Sequence, residues 1–161
     1  MTRRAAVAAV PRRRPRVLAV ASGGGHWIQL RRLREAFEPY DTVWMTVDAA
    51  YRHELGGAPL HVVNDATRWD RFGLLVCALR VLGVLLRVRP DVVVTTGAAP
   101  GFFAIVFGKL LRARTVWIDS IANADELSGS GAFVGRFADL WLTQWPHLAR
   151  VGGPDYEGAV L

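Results

Sequence analysis

Residues 17–30, VLAVASGGGHWIQL, join an apolar run to three consecutive glycines, a histidine and a stretch of helical pattern. The run has the length and the aliphatic content of a buried β-strand. Glycine loses more backbone entropy on folding than any other residue, and a tight strand-to-helix turn explains only one of the three. We therefore predict a strand, a turn and a helix here, with a ligand close to the backbone at Gly23, Gly24 and Gly25.

The alternation of apolar runs and helical stretches continues to the end of the chain. Strands are predicted at 16–21, 42–47, 60–63, 91–95, 115–118 and 140–143. Helices are predicted at 26–37, 71–88, 101–111, 133–138 and 146–150, with a short helix or turn at 49–55. Apolar strands separated by helices are typical of a parallel sheet covered on both faces. The predicted fold class is α/β, a single Rossmann-like, doubly wound parallel sheet of about six strands.

The positive charge is concentrated at the start of the chain. Of 161 residues 20 are basic and 14 acidic, and six arginines precede or begin the first strand: Arg3, Arg4, Arg12, Arg13, Arg14 and Arg16. The remaining 14 basic residues balance the 14 acidic ones. We predict a basic flexible tail at 1–15 and one domain at 16–161. The tail could touch anionic lipid or nucleic acid, or have no partner.

Other features limit the class of protein. The apolar stretch 5–10 is too short for a secretory signal and is followed by more arginine. The single cysteine, Cys77, excludes an intrachain disulfide and indicates a core residue, and the histidines show no metal-ligand spacing. The helix at 71–88 is apolar nearly all round, but Arg80 near its middle argues against a membrane span. It either covers the sheet as a buried helix or presents its outer face to lipid or a partner protein.

Two glycine-rich turns follow the first and fourth predicted strands. They are SGGGH (22–26) and TTGAAPG (95–101). In a doubly wound sheet of order 3-2-1-4-5-6 these strands are neighbours, and ligands bind beyond their carboxyl ends. Helix N-termini offer free N–H groups and a positive dipole end. We therefore expect a phosphate or diphosphate here, with the hydroxyls of Ser22, Thr95 and Thr96 as further donors.

Four polar residues are further candidates at this edge. His26 could donate to the anion, act as a general base, or only cap the turn. Asp119 and Ser120 end the fifth strand, where a buried acid needs a role or a partner. Gln144 ends the sixth strand. The glycine pattern departs from G-x-G-x-x-G, although Asp48 stands where a ribose-binding acid would, so a nucleotide site stays open.

Five segments, in this order, resemble the PssD/CpsF-like bacterial polysaccharide-biosynthesis proteins. They are SGGGH (22–26), RPDVVVTTGAAPG (89–101), GKLLRARTVWIDS (108–120), ADLWLTQWPHL (138–148) and YEGAVL (156–161). These proteins are related to the membrane-recruiting subunit of the eukaryotic enzyme that adds the second N-acetylglucosamine to dolichol-linked oligosaccharide.

The resemblance implies the N-terminal half of a two-domain glycosyltransferase of the MurG-like, GT-B kind. Its members bind a lipid-diphosphate-linked acceptor at the cytoplasmic membrane face, and a separate subunit holds the UDP-sugar. No cofactor or metal is implied. Because eukaryotic relatives have an N-terminal anchor where this chain has the arginine tail, we expect peripheral attachment.

The family's functional residues carry over by position. The acceptor loop would be Ser22, Gly23, Gly24, Gly25 and His26, and the second loop Thr96, Gly97, Pro100 and Gly101. Asp119 and Ser120 match an acid-Ser pair in which many relatives have Glu. The partner-contact stretch would be Gly158, Ala159, Val160 and Leu161.

The sequence thus predicts the acceptor-binding subunit of a two-chain inverting glycosyltransferase, with His26 or Asp119 as the base. The alternative is a non-catalytic nucleotide- or phosphate-binding module. A nucleic-acid binder acting through the tail is not expected, because no base-reading motif is present.

Overall fold

All strands of the protein lie in one parallel sheet. The computed structural model describes residues 13–160. The strands are β1 (Arg16–Val20), β2 (Asp41–Thr46), β3 (Leu60–Val62), β4 (Val92–Thr95), β5 (Arg114–Ile118), β6 (Leu140–Thr143) and β7 (Asp155–Tyr156). Their order is β3-β2-β1-β4-β5-β6-β7, and every neighbouring pair is parallel. The predicted doubly wound α/β sheet is confirmed, and β7 extends it by one strand.

Helices connect the strands on both sides. They are α1 (Gly25–Arg32), α2 (Arg34–Phe37), α3 (Arg71–Val88), α4 (Ala98–Leu110) and α5 (Gly129–Val134). Short 3-10 helices occupy Ala49–Glu54, Gly135–Phe137 and Pro146–Leu148. The predicted helix at 26–37 is divided at Leu33, and the final helix is only a 3-10 turn. The helix predicted at 133–138 begins earlier, because the Ser128 hydroxyl caps α5 by accepting from the Gly131 N–H.

The two faces of the sheet have separate cores. In β1, Leu18 and Val20 point to the side that α3, α4 and α5 cover, whereas Val17 and Ala19 point to the side that α1 covers. Successive strand side chains alternate between faces, so a strand that is apolar throughout fits between two helical layers. The structure therefore has three layers, with the sheet in the middle.

Trp27 fixes α1 on its face of the sheet. Its ring is fully buried and stacks on Tyr51, with 4.6 Å between ring centroids. Its indole N–H donates to the Glu54 carboxylate at 3.0 Å. The packing thus holds the 3-10 helix at 49–54 beside the start of α1.

On the opposite face, α3 and α4 lie close to the strands. α3 buries Cys77, Val81, Leu85 and Val88, and burial raises the pKa of the Cys77 thiol to about 11, so Cys77 is the neutral core residue that was predicted. α4 approaches closely at Gly101, where a Cβ would overlap the Thr95 hydroxyl. No helix within residues 13–160 combines the length and hydrophobicity that a bilayer crossing requires.

Asp139 joins the turn before β6 to the start of β5. One carboxylate oxygen accepts from the Thr115 N–H at 2.9 Å and from its hydroxyl at 3.0 Å, and the other pairs with Lys109. The hydrogen bond from Lys109 holds the pKa of Asp139 below its usual range, and the Thr115 donors act in the same direction. The charged carboxylate is therefore the form that the fold stabilises.

We expect Asp139→Asn to lower the free energy of unfolding at pH 7 by about 1 kcal/mol. Because the pKa is lower in the folded state, this contribution is present above the unfolded Asp pKa of about 3.9 and is lost as the pH falls through the folded value. Urea unfolding at a series of pH values measures it. The gap between wild type and variant should close in acid, and Asp155→Asn, an exposed control, should show none. A gap that is independent of pH would contradict this assignment.

Candidate active site

The ends of β1 and β4 bring the two glycine-rich loops together. Val20 is in register with Thr95, and the Thr96 N–H donates to the Val20 carbonyl at 3.4 Å. α1 then begins at Gly25 and α4 at Ala98. The predicted adjacency of the β1–α1 loop (21–24) and the β4–α4 loop (96–97) is therefore confirmed.

In the β1–α1 loop the fold requires only one of the three glycines. Gly24 has φ +62°, and its N–H donates to the Tyr51 hydroxyl at 2.9 Å. A Cβ on Gly23 would make ordinary contact with Tyr51, and a Cβ on Gly25 would meet nothing within 4 Å. Since Gly25 also has no positive φ, neither backbone conformation nor packing explains it. The space above Gly25 is open.

The β4–α4 loop has an unusual backbone. Gly97 has φ +123°, and Ala98 follows with φ +63°. The left-handed region costs a residue with a Cβ roughly 1–2 kcal/mol. A Cβ on Gly97 would lie 3.0 Å from His26 Cε1. Local strain of this kind is found where a site needs a particular backbone shape.

His26 links the two loops. Its Nδ1 lies 2.7 Å from the Thr96 carbonyl oxygen, and the Thr96 hydroxyl donates to the His26 carbonyl at 2.7 Å. Because a carbonyl oxygen only accepts, Nδ1 carries the proton, and Nε2 is the basic nitrogen of the neutral ring. Nε2 has no hydrogen-bond partner within residues 13–160. The ring is therefore oriented as a base would be.

Both helices begin with free N–H groups. Neither α1 nor α4 has a side-chain cap or an acidic residue in its first turn. The first N–H groups of a helix have no intrahelical acceptor, which leaves those of Gly25 and His26 in α1 and of Ala98 and Ala99 in α4. The Ser22 hydroxyl, in the loop before α1, has no hydrogen-bond partner in the described part of the chain. This cluster of donors suits an anion.

Four residues predicted to bind the anion contribute to the structure of the second loop and of α4. The Thr95 hydroxyl accepts from the Gly97 N–H at 3.1 Å, and the Thr96 hydroxyl proton is committed to His26. Both threonines are fully buried. Pro100 and Gly101 are buried within α4 and shape its packing. These side chains shape the loop and the start of α4, and their contact with an anion stays a prediction.

Asp119 orders a loop through its carboxylate, and its role as the base stays a prediction. Its residue is 2% exposed, and its carboxylate accepts from the N–H and hydroxyl of Ser128 at 2.9 and 2.6 Å. It also accepts from the Ser120 N–H at 3.1 Å and the Asn123 amide at 3.2 Å. Four donors occupy the carboxylate, so it orders the segment 120–128 and the start of α5. The Ser120 hydroxyl accepts from the Ala122 N–H within the same segment.

Gln144 is likewise a structural residue. Its amide nitrogen donates to the Asp119 carbonyl at 2.8 Å, and its amide oxygen accepts from the Val160 N–H at 2.8 Å. It is 3% exposed, and its contact with the sugar acceptor stays a prediction. Gly158 and Ala159 are exposed at this edge, whereas Leu161 lies outside the described residues. Their contact with a partner stays a prediction.

The sequence analysis missed Tyr51, Gln29, Asn123 and Ser128. Gln29 is the one with a sequence signal, as a polar residue in the apolar face of α1 between Trp27 and Leu30. It donates to the Asp119 carbonyl and accepts from the Ile121 N–H, both at 3.3 Å. Across residues 13–160, no three His, Cys, Asp or Glu side chains are grouped as a metal site requires.

We expect Asp119→Asn to lower the free energy of unfolding by about 1–3 kcal/mol, because an amide NH2 would face donors in place of an acceptor. Chemical denaturation monitored by tryptophan fluorescence measures it. Asp125→Asn is the matched control, an exposed carboxylate in the same segment, and should be neutral. Unchanged stability in Asp119→Asn with lost activity would restore Asp119 as a base candidate.

The fold is shared with solved enzymes. The chain superposes on MurG of Acinetobacter baumannii with a TM-score of 0.71 at 13% identity, covering 88% of this chain and 45% of that one. It superposes on UDP-N-acetylglucosamine 2-epimerase of Rickettsia bellii with a TM-score of 0.67 at 14% identity, covering 91% and 45%. Identities this low show the fold alone. The sheet resembles one half of a GT-B glycosyltransferase.

Sequence similarity indicates the family. A protein named UDP-N-acetylglucosamine transferase subunit ALG14 from Yarrowia lipolytica is 34% identical over 80 residues, covering 45% of this chain and 37% of that protein. The protein of the same name from Eremothecium gossypii is 34% identical over 71 residues, covering 40% and 32%. The chain spans about a third of the length of these relatives. Residues 63–159 match the family described as "Oligosaccharide biosynthesis protein Alg14 like". This match covers more than half of the sequence, and the chain belongs to that family.

Proposed function

We propose that this chain is the acceptor-binding subunit of a two-chain inverting glycosyltransferase. It transfers a sugar from a UDP-sugar to a polyprenyl-diphosphate-linked saccharide in exopolysaccharide or cell-envelope glycan synthesis, as a PssD/CpsF-like protein. It works as a peripheral protein at the cytoplasmic face of the membrane. The observation that carries the proposal is the pair of uncapped helix starts side by side with His26 between them.

The acceptor's diphosphate occupies the open space above Gly25. We assign as its donors the free N–H groups of Gly25, His26, Ala98 and Ala99, together with the Ser22 hydroxyl. Two helix dipoles add their positive ends to the same place. A bulkier residue at 25 would intrude on the anion without disturbing the fold, which is the physical reason for glycine at a position where packing does not require it.

His26 is the general base of the transfer. Nε2 takes the proton of the acceptor hydroxyl while that oxygen attacks the anomeric carbon of the donor. The bond from that carbon to the diphosphate of UDP breaks, and its electron pair leaves with UDP. The Thr96 carbonyl accepts from Nδ1–H and steadies the imidazolium that forms. This assignment leaves Asp119 to order the neighbouring segment.

A second chain supplies the donor side of the cleft. The solved neighbours are about twice as long as the region that this chain matches, and the curated relatives are named as subunits. One sheet with its helices forms one wall of an interdomain site. The stretch 158–161, in which Gly158 and Ala159 are exposed, is our candidate contact with that chain.

The first test combines this chain with the product of the adjacent open reading frame. Transfer of radiolabelled sugar to a polyprenyl-diphosphate saccharide should require both proteins. Full activity from this chain alone, or tight binding of a UDP-sugar to it in calorimetry, would contradict the two-chain assignment. The second result would favour the non-catalytic nucleotide-binding module.

In the same assay, His26→Asn should lower kcat by between about 100-fold and 10,000-fold. Asparagine can still donate a side-chain N–H to the Thr96 carbonyl, but it lacks the basic nitrogen. His53→Asn, at an exposed histidine outside the site, is the control and should retain activity. Wild-type kcat in His26→Asn would exclude His26 as the base.

Gly25→Ala separates ligand binding from folding. The fold has room for the methyl group, so the free energy of unfolding should stay constant or rise by up to about 1 kcal/mol. The KM for the lipid-diphosphate acceptor should rise at least tenfold, because the methyl group enters the anion's space. Gly129→Ala, at the equivalent first position of α5 and equally open, should leave KM unchanged. An unchanged KM in Gly25→Ala would contradict the placement of the diphosphate at this loop.

A further inference from the structure

The outer face of α3 is an exposed apolar surface. We define it by five side chains: Trp69, Phe72, Leu75, Leu79 and Leu86. Trp69 is 81% exposed and Phe72 76%, and the three leucines are each more than half exposed. Positions 72, 75, 79 and 86 lie on one side of the helix, opposite the residues buried on the sheet. Large side chains grouped in this way mark an interaction surface.

Arginines flank this face, and acids are absent from it. Arg68, Arg71, Arg80 and Arg87 are exposed, and none forms an ion pair with another residue of the described chain. The sequence from 71 to 90 contains no acidic residue. Asp70, which precedes it, caps the helix through the Gly73 N–H. The Arg68 guanidinium lies over the Trp69 ring, 4.7 Å from its centroid.

The orientation of α3 places this face beside the candidate active site. The helix runs from the carboxyl end of β3 back to the start of β4, so its first turns lie at the same edge of the sheet as the two loops. A groove of about 430 Å³ lies between the start of α3 and the start of α4, lined by Arg68, Leu74, Ala98, Ala99, Phe102 and Phe103. Ala98 and Ala99 also supply the free N–H groups of α4. The groove therefore lies next to both the first turn of α3 and the anion site.

We propose that the outer face of α3 docks on an anionic phospholipid bilayer, with the helix lying along the surface. Apolar side chains enter the interface and the flanking arginines bind lipid phosphates. The helix is about 27 Å long and does not span the bilayer. Docking turns the groove toward the lipid, where it takes the first isoprenoid units of an acceptor whose diphosphate rests on the loops.

Charge favours a bilayer over a second copy of this chain. A symmetric pairing through this face would bring the four arginines of each copy against those of the other, and like charges across an interface repel. An anionic membrane offers the complementary charge and accepts the exposed Trp69 at its interfacial layer.

The test measures sedimentation of the full chain with vesicles of phosphatidylcholine alone or mixed equally with phosphatidylglycerol. The double variant F72S/L79S should bind the mixed vesicles at least tenfold more weakly. L110S/V151S is the matched control, because it removes two equally exposed apolar side chains elsewhere, and it should bind as wild type does. R80Q/R87Q should lose about 25-fold on mixed vesicles, or about fivefold for each arginine.

Three results would overturn the proposal. They are wild-type chain that fails to bind the mixed vesicles, F72S/L79S that binds like the control, and a wild-type dimer that F72S/L79S converts to monomer. The last result would assign the face to a second copy. Far-UV circular dichroism confirms that the variants are folded.

The inference deepens the proposed function, yet the two can fail separately because vesicle binding requires no sugar transfer. F72S/L79S should lose transfer to an acceptor embedded in vesicles and retain transfer to a short-chain, water-soluble acceptor. Vesicle binding without transfer to either acceptor would refute the proposed function alone. Transfer to the vesicle-embedded acceptor by a chain that does not bind vesicles would refute this inference alone.

Discussion

The site depends on one topological constraint, the pairing of β1 with β4 at the centre of a parallel sheet. The chain leaves β1 to build one side of the sheet and returns to β4 to build the other. The two strands therefore end side by side, and their helices depart to opposite faces. His26, in the first turn of α1, forms two hydrogen bonds with Thr96 of the β4–α4 loop and so joins the two helix starts. The geometry that exposes the N–H groups also places an imidazole beside them.

A second set of interactions keeps the rest of this edge rigid. The Asp119 carboxylate organises the segment that follows β5, while its backbone carbonyl receives the amides of Gln29 and Gln144. Elements that are distant in sequence are thereby held together by buried polar bonds. Such bonds are costly to break, because each leaves a desolvated group without a partner. The polar segment 120–128 after β5 is therefore held in a fixed conformation by buried hydrogen bonds.

Much of the architecture could be predicted from the sequence, because apolar runs and glycine breaks are local signals. Six strands, their order and the meeting of the two loops follow from those signals and from the rules of doubly wound sheets. The strand β7 could not be predicted, because its two residues are too few to show a hydrophobic periodicity. The hydrogen bonds by which Thr95, Asp119 and Gln144 hold loops in place could not be predicted either. A polar residue at the end of a strand can face a ligand or a loop, and its partner decides which. For Asp119 and Gln29 the partner is 90 residues away.

The amide of Gln144 has a consequence for the end of the chain. The amide nitrogen of Gln144 donates to the Asp119 carbonyl, and its amide oxygen accepts from the Val160 N–H. Terminal segments usually fray because nothing in the interior depends on them. Here the buried amide oxygen of Gln144 would lose its donor if Val160 moved away, so the position of Val160 affects the interior of the domain. A partner that displaced Val160 would also disturb the hydrogen bond from Gln144 to the Asp119 carbonyl, which links residues 158–160 to the interior of the domain.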